Sequence, residues 1–199
     1  MRKTILMGIL TLALASCAIY ASAQAAPPPP DSLKVDYFAY ANTSDVPDGT
    51  VRLTNPGTAG PLVCAAIYVF DSVEEMTECC SCSLTQNDLR TLSVNADLTS
   101  NPLTDRIIKT GTISIVSTAP VNNECPLPTA LSPVGGGVRA WATHIDVQRV
   151  GTTKGYVGTV AASQDATLSS AEQTALANVC YFISVSGTGA GVCTCGTGD

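Results

Sequence analysis

Residues 79–82 read CCSC, three cysteines in four positions, and six more cysteines are spread along the chain. Thiols at that density organise a fold around a metal, a redox pair or disulfide closure, and the compartment decides among them. The chain opens MRKTILMGILTLALASC, with Arg2 and Lys3 ahead of an apolar run from Ile5 to Ala15. Such a run has the length of a signal-peptide core and is too short to span a bilayer as an anchor. Residues 1–23 therefore read as a signal peptide, cut after Ala21-Ser22-Ala23. A second exit is legible: Leu14 to Cys17 resembles a lipobox, which would lipidate Cys17 and make the product an outer-membrane lipoprotein. The first cut is preferred, because Ser16 is a tolerated rather than favoured neighbour of a lipobox cysteine.

Both cuts leave the same eight cysteines: Cys64, Cys79, Cys80, Cys82, Cys125, Cys180, Cys193 and Cys195. An exported chain meets oxidants, so these are expected to form disulfides. Cys79 and Cys80 are adjacent, and a bridge between them would be strained. They should reach different partners, drawn from Cys125, Cys180, Cys193, Cys195 and Cys64. Metal and redox readings are weaker. The one Cys-x-x-Cys spacing, Cys79 to Cys82, has a third cysteine inside it and no second such pair to complete a zinc knuckle, and no haem-attachment motif ends at the single histidine, His144. No cofactor and no metal are expected.

The spacer at 24–32 contains AAPPPP, whose prolines favour a stiff polyproline II segment of roughly 12 Å. Residues 33–199 then fit one β-rich domain, long enough to bury a core that disulfides reinforce rather than replace. Loss of Arg2 and Lys3 moves the formal charge from -6 to about -8. The remaining cations are scattered, so a nucleic-acid partner is not expected. A membrane partner is expected only if Cys17 is lipidated.

Alternation and turn signals supply the elements. Strands are predicted at Leu33–Ala41, Thr50–Asn55, Leu62–Asp71, RIIKTG, TISIVST, Val138–Val150 and GYVGTVAAS, with the Leu62 strand central because both its faces are apolar. Gly111 is read as the turn between RIIKTG and TISIVST. SLTQNDLRTLSV is read as a short helix, with Thr85 and Asp88 as a capping pair. LSSAEQTALANVCYF is read as a second helix capped by Ser169 and Glu172, followed by a short strand in ISVS. The fold class is mainly β: a β-sandwich-like or related β-rich domain with one or two short helices, braced by disulfides.

Three groups could carry chemistry. His144 and Asp146 share a face of their strand, and with a hydroxyl or thiol they would suit a secreted hydrolase. DSVEEMTE places four acids before the cysteines, but it lacks the spacing and glycine of a calcium loop. Tyr37, Tyr40, Tyr68, Trp141 and Tyr156 are the aromatic contacts available to a glycan or other surface ligand.

Taken together, VRLTNPG, CAAIYVFD, MTECCSC, LRTLSVNADLTSNPL, VRAWATHI and the closing CTCG resemble a group of small secreted proteins of acidobacterial type whose function is unknown. The resemblance implies export and a shared fold, and it carries no mechanism. The expectation is a non-enzymatic extracellular or cell-surface structural protein, a filament or surface-layer subunit that joins copies of itself through strand edges. The alternatives are an extracellular glycan- or ligand-binding module and a secreted hydrolase using His144 and Asp146.

Overall fold

The computed structural model describes residues 27–196. The signal segment 1–23, Cys17 and residues 24–26 of the spacer lie outside the described residues, as do residues 197–199. Among the described residues, nine strands form two antiparallel sheets. One sheet runs in the order β4 (Met76–Thr85), β3 (Leu62–Asp71), β6 (Gly111–Thr118), β1 (Leu33–Phe38) and β9 (Gln164–Ala166). The other runs β5 (Leu89–Ser93), β2 (Thr50–Thr54), β7 (Arg139–Val150) and β8 (Thr153–Ala162).

The pleat explains how the sheets meet, since alternate side chains leave opposite faces. Val63, Ala65, Ile67 and Val69 of β3 join Val51, Leu53, Leu92, Ala140 and Ala142 from the other sheet in one core. The other face of β3, with Ala66 and Tyr68, packs with Leu33, Val116 and Cys79 beneath the helix α1 (Ser170–Ser186). Helix α1 turns Leu176, Ala177, Cys180 and Ile183 inward, and Ser169 caps it by accepting from the Glu172 amide at 3.1 Å. β3 thus lies inside its sheet, paired on both sides as its two apolar faces require, although β6 rather than β3 takes the middle position.

Four disulfides close the fold: Cys64–Cys125, Cys79–Cys180, Cys80–Cys193 and Cys82–Cys195. The first ties the long β6–β7 connection onto β3. That connection is also held by the Ala119 amide donating to Ser132 O and the Val134 amide donating to Ser117 O.

The structure corrects several element assignments. Residues 83–93 are not helical, and Val94, the last residue of that segment, opens a single π-helical turn over Val94–Leu98. Thr85–Asp88 form a turn in which the Asp88 amide donates to Thr85 O and Asn87 has a φ of 64°. β5 then follows, with Leu92 buried and Leu89 exposed. RIIKTG is not a strand, because neighbouring chain takes up its main-chain groups: the Ala41 amide donates to Lys109 O, and Asn42 Nδ2 donates to Ile108 O. Gly111 is not a turn but the first residue of β6, where a Cβ would collide with the Phe70 carbonyl. ISVS belongs to α1, since burial of Ile183 and the Cys180 bridge outweigh the β preference of its branched residues. Finally, MTECCSC, to which the sequence pattern assigns no element, lies in a strand, β4.

Candidate functional site

Two arrangements converge from distant parts of the sequence. The first is the cysteine lock. On β4, Cys79 faces the helix while Cys80 and Cys82 face the inter-sheet core, as the pleat dictates. Cys79 bonds Cys180 of α1, and Cys80 and Cys82 bond Cys193 and Cys195 of the C-terminal strap. The strap runs parallel to β4 at the Cys79–Val192 bridge; the Cys79 amide donates to Gly191 O and the Cys193 amide to Cys79 O. Further along, Thr194 is held by Asp97 O and by Asp97 Oδ1. Gly191 has a φ of 78°, and a side chain there would strike Ile183.

The Sγ atoms of Cys80, Cys82 and Cys195 lie within 4.8 Å of one another, the one grouping with metal-ligand spacing among the described residues. All three are disulfide-bonded, so they offer no thiolate to an ion. The acids of DSVEEMTE do not converge. Asp71 Oδ1 accepts from the Val73 and Glu75 amides, and Asp71 Oδ2 faces Arg106 Nη1 at 3.0 Å. Glu78 is fully buried: Oε1 accepts from the Asn101 amide at 2.9 Å, and Oε2 has no partner. Burial pushes its carboxyl up to about 7, against which the Asn101 bond acts weakly.

The second arrangement crosses the sandwich. His144 of β7 meets Asp36 of β1, with Nε2 to Oδ1 at 2.5 Å, and the imidazole lies 4.0 Å from the Tyr37 ring. The Tyr37 amide also donates to Asp36 Oδ1, and Ser163 Oγ donates to Asp36 Oδ2 at 2.7 Å. His144 is thus paired with Asp36 and not with Asp146, which is exposed. In a nucleophilic triad the hydroxyl bonds the imidazole. Here Ser163 bonds the carboxylate, and no hydroxyl or thiol among the described residues bonds His144. The geometry fastens β1, β7 and the β8–β9 connection together. Asp36 was missed in the sequence because its strand is over a hundred residues away and no local motif marks it.

The aromatic candidates divide. Tyr68 is fully buried, its hydroxyl donating to Pro128 O, and burial raises its ionisation well above the usual tyrosine range. It is therefore not a ligand contact. Tyr40 and Tyr156 meet edge to face at 5.8 Å, with Lys154 Nζ 5.2 Å from the Tyr156 ring centre. Tyr37 is half exposed against His144. Trp141 stands apart from these, on β7 opposite Arg52 and Ala162. The rings do not form one flat stripe: Tyr40 and Tyr156 meet at 67°, Tyr68 is buried, and Tyr37 packs on His144. Comparison with family models, curated proteins and solved structures found no match to this chain.

Proposed function

We propose that the protein is a non-enzymatic structural protein of the extracellular space or cell surface, and that it associates with copies of itself. The observation that carries this reading is β8. This ten-residue strand is the outermost of its sheet and is exposed along nearly all its length on both faces. Lys154 is its only charged residue, and glycine, valine, threonine and alanine make up most of the rest. A long edge of this kind presents a row of main-chain donors and acceptors, and natural proteins normally blunt it with charge, proline or a covering segment. None of these is found along β8 beyond Lys154 among the described residues.

The outward side of α1 adds a second, unlike surface. Val179, Tyr181, Phe182 and Val185 are all exposed there, and Glu172 is the sole charge in the helix. Two unlike surfaces on one subunit permit head-to-tail growth, whereas a single self-complementary patch closes as a dimer. The four disulfides suit an oxidising compartment. Sedimentation of the oxidised mature chain across a range of concentrations, with negative-stain imaging of the heaviest fractions, tests the reading. Concentration-dependent oligomers or filaments are expected, and a strict monomer at millimolar concentration overturns it.

A further inference from the structure

The outer face of the β5–β2–β7–β8 sheet carries a feature that neither the core nor the edge requires. Val51, Leu53, Ala140 and Ala142 point into the core, so Arg52, Arg139, Trp141 and Thr143 point the other way. Trp141 lies directly across from Arg52 on β2 and from Ala162 on β8, and Arg139 is two residues along the same strand. The two arginines therefore bracket the indole, one beside it and one diagonal to its partner, at separations of about 5 to 8 Å between backbones.

Neither arginine has an acidic partner among the described residues, although acids outnumber bases 16 to 10 in the whole sequence. Arg52 is aimed rather than neutralised. Its Nη1 donates to Thr50 Oγ1 at 3.0 Å and to Thr143 Oγ1 at 3.2 Å, which orients the guanidinium on the face and leaves its other donors free. Beside Trp141 is a shallow cavity of about 440 Å³, lined by Arg139, Val160, Ala162 and Ser163 together with Lys34 and Asp165. Lys34 is almost wholly buried and pairs with Asp165, so the cavity retains the positive charge of Arg139.

We propose that this face binds an acidic polysaccharide, with a sugar ring stacked on Trp141 and carboxylates of uronate residues held by Arg52 and Arg139. A guanidinium matches a carboxylate through two parallel hydrogen bonds, which a neutral sugar cannot offer. An indole supplies a flat apolar partner for the C–H face of a pyranose, with Val160 extending it. Charge complementarity selects the ligand class: two free cations on an acidic chain suit a polymer carrying one dispersed charge per sugar. A nucleic acid calls for a denser basic surface, because its affinity comes from neutralising many phosphates. The inference does not depend on association through β8.

Trp141 is the only tryptophan of the chain, so its fluorescence reads the site directly. The oxidised mature protein is titrated with polygalacturonate, dextran and single-stranded oligo-dT, and each titration is repeated by affinity gel electrophoresis. A saturable fluorescence change with polygalacturonate is expected, weakened by salt and absent with dextran. Arg139→Gln, on an exposed side chain, is expected to lower the affinity roughly tenfold. Trp141→Ala is expected to abolish retardation in the gel while circular dichroism stays native. Equal binding of dextran, tighter binding of oligo-dT, retention of affinity in Arg139→Gln, or no response to polygalacturonate would each overturn the proposal.

Discussion

Cys79 and Cys80 are consecutive on β4, yet their disulfides leave the strand on opposite sides, one to Cys180 of the helix and one to Cys193 of the strap. The pleat makes this unavoidable: neighbours in a strand face opposite layers, and each layer here has its own element to hold. Cys82 repeats the direction of Cys80 and fixes Cys195. A single short sequence thereby locks the outer helix and the edge of the sandwich to one strand.

Separate removal of the two kinds of brace should therefore have separable effects. In the Cys79→Ala/Cys180→Ala double variant, α1 amides should exchange faster while the strands keep most of their protection. Loss of the Cys80–Cys193 and Cys82–Cys195 bridges should free the strap instead. Each of these bridges spans over a hundred residues, and each loss should lower stability by about 2–5 kcal/mol. Native hydrogen exchange read peptide by peptide checks this, and a uniform loss of protection in both variants would contradict it.

Buried Glu78 gives the fold a pH dependence whose sign follows from its raised carboxyl. The folded state keeps a proton that the unfolded chain has already released, between the ordinary carboxylate value and about 7. The stabilisation is complete below the unfolded value and is lost as pH rises through about 7. The melting temperature should fall between pH 5 and pH 8. In Glu78→Gln, which retains an acceptor for the Asn101 amide, this part of the decline should vanish. Matched melting curves of the two proteins across that range decide it.

The Asp36 cluster should behave as an inter-sheet clamp. Asp36→Ala strands His144 and Ser163 at once, and an expected loss of about 2–3 kcal/mol follows from hydrogen bonds made to a charged group. Ser163→Ala removes one neutral donor and should cost about 1 kcal/mol. The His144→Ala and Asp36→Ala effects should be strongly non-additive, because the two share one contact. Denaturant titration of the single and double variants measures all of these, and simple additivity would show that the clamp carries little energy.

Local pattern made much of the sandwich legible, and its failures have physical causes. β3 and β7 were readable because apolar runs and strict alternation carry their own period. The Ser169 cap likewise marked the start of α1. By contrast, Thr85-x-x-Asp88 has the letters of a helix cap, but an Asn87 turn and pairing of Leu89 with Thr54 override that local preference. β4 went unread because its strand character lies in cysteines, whose spacing signals bridges and says little about backbone. The partnership of His144 with Asp36 is a register effect between two sheets, and no window on either strand contains it. The pairing of the cysteines was similarly out of reach, since spacing leaves many connectivities open until the faces of β4 are known.

The exposed edge of β8 yields the prediction that bears most directly on assembly. Val157 is exposed and lies midway along the strand, opposite Asp146 of β7. A lysine there would place a charge on every copy of a repeated edge, as natural edge strands do to prevent pairing. Because the side chain is solvated, folding should be affected by no more than about 0.5 kcal/mol. Val157→Lys is expected to keep the parent's melting temperature and circular dichroism while shifting sedimentation toward the monomer. Phe182→Lys, on the outer side of α1, should truncate long assemblies and leave short ones if the two surfaces act separately. Unchanged assembly in both variants would move the contact away from β8 and α1 altogether.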